Sequence, residues 1–117
     1  LYFQAASAFG VAEAQFRLAR MMLAGEGGRA DVQQAKKWLN QARKSGHAGA
    51  MAVFGNVLFD EGQTLRGLAF MTAALDRCSK KDCPWMQQMQ EDAFSLSTEN
   101  DRRNAVALAQ SLERSGD

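Results

Sequence analysis

Cys78 and Cys83 are the residues whose type and spacing point most directly to chemistry. Four residues separate them across a turn, a spacing that can bring two Cα atoms within the roughly 4.4 to 6.8 Å that a disulfide needs. Two other interpretations stay open: two reduced thiols, or half of a metal site without its second half. A redox enzyme is disfavoured, because the Cys-x-x-Cys spacing and a sheet pattern are both absent. A bridge would indicate an exported protein and free thiols a cytoplasmic one.

His47 is the only histidine of the chain, which excludes a multi-histidine metal site and a histidine dyad. A single histidine without a nearby partner rarely performs catalysis, so we predict a structural role for it. The glycines at Gly25, Gly27 and Gly28 lack the Lys-Ser/Thr and the preceding strand of a phosphate loop. The sequence therefore predicts no catalytic residue, no metal, no cofactor and no enzyme activity.

The composition narrows the class of partner. The net charge is +1, from 14 basic and 13 acidic residues, and neither sign forms a long run. This balance gives no electrostatic footprint for nucleic acid or an anionic membrane. No apolar run approaches the roughly 18 residues of a membrane span. We therefore predict a soluble chain whose partner is a protein or peptide, without membrane insertion.

A repeat organises the elements that carry these residues. Gly10 recurs 36 positions later as Gly46, and Ala14 recurs at the same interval as Ala50. A period in this range is typical of stacked helical repeats. Because apolar residues follow helical spacing in both halves of the unit, each unit is predicted to be a helical hairpin.

The turn of this hairpin is rich in glycine. Gly25 can take the left-handed conformation that ends the first helix, and the carboxylate of Asp31 can cap the second. Trp38 lies on the apolar face of the second helix, where packing in the core is the expected role. The positions that define the unit are Ala14, Leu18, Gly25, Gly27, Asp31, Ala35, Trp38, Ala42, Gly46 and His47.

This set of positions resembles a Sel1-like repeat, a relative of the tetratricopeptide repeat. Three positions depart from the family pattern: Gly28 replaces the usual valine, Leu39 the usual tyrosine and Arg43 the usual alanine. The resemblance implies an all-α protein, an α-solenoid of helical hairpins. The apolar spacing after residue 80 no longer fits the repeat and predicts a C-terminal two-helix cap that closes the solenoid.

We divide the chain into three segments. Residues 1–4 look like the remnant of a protease-cleavable purification tag. Residues 5–79 contain the end of one repeat, one full repeat and one degenerate repeat, and residues 80–117 form the helical cap. We expect the chain to begin inside a repeat of a longer protein. Its open N-terminal end would then expose an apolar stacking face that can self-associate.

The first helices of successive hairpins are expected to line a concave groove that binds a partner. The alternative is that the groove aromatics pack on neighbouring helices and the groove is plain surface. Counting round the helices from the packing positions gives the predicted groove residues: Glu13, Phe16, Arg20, Leu23, Ala52, Asn56, Phe59 and Asp60.

The leading functional hypothesis is a non-catalytic interaction module, either an adaptor or a regulatory scaffold. A structural alternative is a C-terminal capping fragment whose binding surface lies in other repeats. An enzymatic alternative is a hydrolase related to cysteine-rich Sel1-like proteins, which carry a cysteine pair in every repeat. The full repeat of this chain contains no cysteine, so that alternative is disfavoured.

A weaker resemblance concerns the second half of the chain. The order of a degenerate repeat, the segment GLAFMTAAL, a helix and the segment TENDRRNAVALAQSLERS is similar to the C-terminal layout of alphaproteobacterial Sel1-like proteins. These include periplasmic regulators that hold a sensor kinase in check. The resemblance implies an exported bacterial protein and identifies no partner.

Overall fold

The computed structural model describes the backbone of residues 2–25 and 31–115, and the side chains of residues 11–25 and 31–112. Within these ranges the chain forms six α-helices and no strand, which confirms the all-α prediction. None of the described helices has the length and apolar character that a membrane span requires. The helices are α1 (Tyr2–Ala24), α2 (Val32–Lys44), α3 (Ala48–Asp60), α4 (Thr64–Leu75), α5 (Cys83–Ser95) and α6 (Glu99–Ser115).

Short turns end the first three helices. Gly25, Gly46 and Gly62 have φ angles of 76°, 93° and 94°, in the region that glycine enters at little cost. Asp31 caps α2, because its carboxylate accepts a hydrogen bond of 3.0 Å from the backbone N–H of Gln34. Gly27, assigned to the first of these turns, lies outside the described residues.

Helix α3 lies at the centre of the structure. It packs against α2 on one side and α4 on the other, and it also contacts α5. Most of its side chains are buried as a result. Its buried residues are Gly49, Ala50, Met51, Ala52, Val53, Phe54, Gly55, Val57 and Leu58.

The closest approach of α3 and α4 occurs at two glycines. A Cβ atom placed on Gly55 would lie 2.6 Å from the carbonyl oxygen of Gly67, and a Cβ on Gly67 would lie 2.6 Å from the carbonyl oxygen of Gly55. Neither position has room for a methyl group. The edge-to-face contact between Phe54 and Phe70, with ring centroids 5.2 Å apart, lies beside this crossing.

Helix α1 buries a face that only partly overlaps the one that the repeat predicted. Its core-facing residues are Ala12, Phe16 and Ala19, whereas Ala14 is exposed and Leu18 is 38% exposed. The residues at the equivalent positions of α3 are buried because α3 has helices on both sides, while α1 packs mainly against α2. The prediction that the side chains of Ala14 and Leu18 pack in the core is therefore wrong.

The remaining motif residues of the first unit have different surroundings. Ala35 and Ala42 are fully buried, and Trp38 is half-buried against the main core cluster. Gly46 is exposed in its turn, and His47 is buried. These positions thus combine core residues of α2 with the residues that connect α2 to α3.

The last two helices both pack against α4. Ala93 of α5 and Ala105 of α6 belong to a small core cluster with Leu68 and Met71 of α4. Thr98 caps α6, since its hydroxyl accepts a hydrogen bond of 3.1 Å from the backbone N–H of Asp101. The arrangement of the helices as a solenoid stays a prediction, as does the division at residue 80.

Gly55→Ala should lower the free energy of unfolding by about 1 to 3 kcal/mol, because the added methyl group must separate α3 from α4. Helix propensity alone predicts the opposite sign, a gain of about 1 kcal/mol. Urea unfolding measures the difference. Ala107→Gly, at an exposed position of α6, calibrates the propensity effect in the same protein. A stabilised Gly55→Ala variant would contradict the close helix crossing.

Candidate functional site

Helices α1, α3 and α5 share one surface, which we call the groove face. A larger cavity of about 470 Å³ lies between the C-terminal half of α3 and α5. A smaller cavity of about 320 Å³ lies between the end of α1, Val53 and α5. Trp85 and Met89 line both cavities. Helix α5 therefore runs across the groove that the sequence assigned to α1 and α3.

The predicted groove residues divide according to their burial. Phe16 is only 6% exposed and Ala52 is buried, so neither side chain is available to a partner in this structure. Glu13, Leu23 and Phe59 are half-buried, like Asn56, whereas Arg20 and Asp60 are exposed. The six accessible residues border cavities on or beside the groove face.

Phe16 is covered by two rings. Its centroid lies 4.6 Å from that of His47 and 6.4 Å from that of Trp85, with an interplanar angle of 15° to the indole. The Arg20 guanidinium lies 5.5 Å from the Phe16 centroid and 6.0 Å from the Trp85 centroid. This is within the range of cation–π attraction. The aromatic pair and the arginine thus form one contact between α1 and α5.

Trp85 is the central side chain of the groove face, since it lines both cavities. It belongs to the segment 80–117, which the sequence predicted to be a helical cap. Its indole N–H donates a hydrogen bond of 3.0 Å to Asp82, which fixes the ring orientation. The spacing of Trp85, Met89 and Ala93 along α5 was the available indication of a common face. It did not show that this face turns toward α1 and α3.

Cys78 lies in the loop between α4 and α5, and Cys83 is the first residue of α5. The two residues are joined by a disulfide, with their Cα atoms 5.2 Å apart. The Asp82 that holds Trp85 belongs to the closed loop, and its carboxylate also accepts a hydrogen bond of 3.2 Å from the Ser79 hydroxyl. The disulfide loop therefore supplies the side chain that orients the central tryptophan.

His47 has two structural partners. Its Nδ1 accepts a hydrogen bond of 2.9 Å from the backbone N–H of Ala50, which caps α3. An accepting Nδ1 carries no proton, so the neutral ring bears its proton on Nε2. Nε2 lies 2.5 Å from the Glu13 carboxylate and donates to it. The histidine thus links α1 to the start of α3.

The contact with His47 changes the pKa of the Glu13 carboxyl. The hydrogen bond from His47, aided by Arg17, lowers its pKa below the ordinary value of 4.5, because both contacts favour the charged form. The pair borders a third cavity of about 170 Å³, which Arg77, Ser79 and Asp82 also line. Within the described residues, no group of three or more metal-ligating side chains is present.

Comparison with known proteins identifies two relatives. The chain is 73% identical to an exopolysaccharide production negative regulator of Rhizobium leguminosarum bv. viciae. It is 71% identical to a protein of the same description from Rhizobium meliloti (strain 1021). Both matches cover all 117 residues, and the chain spans 44% of the length of each relative. No family model matches the chain, and no solved structure matches it.

The hydrogen bond from His47 to Glu13 predicts a dependence of stability on pH. A carboxyl whose pKa is lowered by folding stabilises the fold above its unfolded pKa, and this contribution disappears as pH falls through the folded pKa. Wild-type protein should therefore exceed Glu13→Gln in unfolding free energy at pH 7. The difference should be below about 1 kcal/mol, because solvent screens a carboxylate that is 38% exposed.

This difference should shrink below pH 4.5 and vanish in stronger acid, as measured by urea unfolding across the pH range. Glu91→Gln is the matched control, since Glu91 is exposed and accepts only from the neutral Gln87 among its described contacts. An equal pH dependence of the two variants would refute the role of the His47 contact.

The disulfide predicts a second change in stability. Closing so short a loop restricts the unfolded chain, so Cys78→Ser/Cys83→Ser should lose about 2 kcal/mol of unfolding free energy. The intact mass of wild-type protein alkylated without reductant should show no adduct, whereas reduced protein should gain two. Adducts on both cysteines of protein prepared in an oxidising compartment would contradict the bridge.

Proposed function

We propose that this chain is a non-catalytic regulatory module that binds a partner protein through the groove face and thereby represses exopolysaccharide production. The regulatory role comes from the two relatives, whose descriptions name negative regulators of that process. Because the chain spans 44% of their length, the proposal concerns the part of the activity that the groove face contributes.

The observation that carries the proposal is the position of Trp85 between two cavities. The indole is half-buried, stacked on Phe16 and held by Asp82. An aromatic side chain fixed in this way loses little conformational entropy on binding. Cavities on both sides of it leave space for side chains of a partner. Aromatic and arginine residues in such settings dominate the energy of protein interfaces.

The charge on the groove face differs between its two ends. Arg20 borders the smaller cavity, while Asp60 and Asp92 border the larger one. A surface with opposite charges at its ends selects both the partner and its orientation, since a reversed partner would meet like charges. This polarity favours recognition of one defined protein segment.

The reactive side chains of the described residues already have structural roles. His47 caps α3 and donates to Glu13, and the cysteines are bridged. A bridge of this kind persists in oxidising compartments, which supports a site of action outside the cytoplasm. The Sel1-like resemblance supports the same class of function, because such repeats act as protein-binding scaffolds.

A second candidate is a structural one, in which the chain closes a longer repeat protein and binds nothing itself. The burial of Phe16 and Ala52 favours this candidate, since α5 lies across the groove and Trp85 covers Phe16. The two candidates differ in what the exposed part of the groove face does, and a substitution there separates them.

The experiment places this chain in the corresponding segment of the R. meliloti regulator, in cells that lack their own copy. The chimera that carries the unsubstituted sequence of this chain should restore low exopolysaccharide production. Gln88→Trp should raise production several-fold, because the added indole fills the larger cavity that Gln88 lines. The readout is the mass of secreted polysaccharide per cell, with immunoblots to match protein levels.

Gln87→Trp is the matched control, because Gln87 is the adjacent exposed residue of α5 and is absent from the lining of both cavities. It should repress like the unsubstituted chimera. Equal repression by the Gln88 and Gln87 variants would reject the groove face as a binding surface and favour the structural candidate.

A further inference from the structure

The larger cavity is open to solvent and has a partly apolar lining. Phe59 of α3 contributes to that lining, together with Met89 and Ala93 of α5. Leu96, the C-cap residue of α5, is 79% exposed at its edge. A leucine this exposed beside an aromatic ring and a methionine is typical of a surface that another molecule covers.

Two carboxylates border the same cavity. Asp60 is the last residue of α3, and Asp92 lies in the last turn of α5. Helix C-termini carry partial negative charge, so carboxylates there are disfavoured and cations are favoured. Neither helix has a basic residue in its last turn. This end of the groove face therefore concentrates negative charge from four sources: two side chains and two helix ends.

Asp60 and Asp92 have no cationic partner among the described side chains, whereas Glu61 has one. Glu61 next to Asp60 forms an ion pair of 2.7 Å with Lys36, on the side away from the cavity lining. Asp92 accepts a hydrogen bond of 2.9 Å from Gln88, which carries no charge. Among the described side chains, neither Asp60 nor Asp92 forms an ion pair. The carboxylates of Asp60 and Asp92 are therefore available to pair with a cation of a ligand.

We propose that the larger cavity binds a segment of the partner protein in which a lysine or arginine stands next to a bulky apolar residue. The apolar side chain covers Phe59, Met89 and Leu96, and the cation lies between Asp60 and Asp92. This inference rests on the proposed function and names the chemistry of the segment that it requires. A neutral apolar segment would leave both carboxylates without a counter-charge.

The opposite end of the groove face supports this assignment. The cation there, Arg20, is already engaged with the rings of Phe16 and Trp85. A basic segment therefore meets attraction at the larger cavity and repulsion near Arg20. This gradient places the basic part of the segment at the C-terminal ends of α3 and α5.

The probes are three designed fluorescein-labelled peptides and the 117-residue chain. The first peptide has leucine and lysine at helical spacing. The second has glutamate in place of lysine, and the third has serine in place of leucine. In fluorescence anisotropy titrations, the first peptide should bind with an affinity at least about tenfold higher than that of either other peptide. Only the first peptide supplies both an apolar side chain and a cation. NMR should show shifts at the Trp85 indole and the Met89 and Leu96 methyl groups.

Asp60→Asn/Asp92→Asn should weaken binding of the leucine–lysine peptide by about tenfold and reduce its salt dependence, as expected for the loss of two partly exposed ion pairs. The matched control is Asp76→Asn/Glu91→Gln, which removes the same charge at exposed positions outside the cavity lining. It should leave the affinity unchanged. Thermal melts followed by circular dichroism verify that all variants fold.

Several results would overturn the proposal: equal affinities of the two double variants, equal binding of the glutamate peptide, or no binding of the leucine–lysine peptide. Sedimentation velocity adds a further test, since dimers that the Asp60/Asp92 variant abolishes would assign the cavity to a second copy of the chain. In the chimera, derepression by Gln88→Trp without derepression by Asp60→Asn/Asp92→Asn would retain the groove face and reject the basic segment.

Discussion

The contact between the backbones of α3 and α4 at Gly55 and Gly67 is the constraint on which the rest of the structure depends. With the Cβ of either residue only 2.6 Å from an opposing carbonyl oxygen, the two helices can meet at this distance only if both residues are glycine. The crossing places α4 where α5 and α6 both pack against it. The position of α5, and with it the groove face, follows from that crossing.

A second set of contacts fixes α5 relative to α1. The disulfide joins Cys78 to Cys83, the first residue of α5, and Asp82 in the closed loop holds the indole of Trp85. Trp85 in turn stacks on Phe16. The disulfide, the hydrogen bond and the ring contact together hold α5 against α1. The groove face is therefore largely preorganised. Preorganisation of this kind favours binding, because less side-chain entropy is lost on association.

The accessible residues of the groove face differ from the groove residues that helical counting predicted. Counting round a helix assumes that first helices of successive hairpins leave their inner side open. That assumption held for Arg20 and Asp60, which are exposed, and failed for Phe16, which Trp85 covers. The ring of Trp85 belongs to α5, whose direction depends on long-range packing against α4 and could not be read from local periodicity.

The sequence by itself determined the all-α class and the approximate extent of the helices, because both depend on local periodicity and on caps such as Asp31. Only the tertiary structure decided which apolar residues are covered. Leu18 and its repeat equivalent Phe54 follow the same pattern, yet one is exposed and the other buried. The reason is physical: burial depends on how many helices surround a residue, and that number is set by contacts between distant segments.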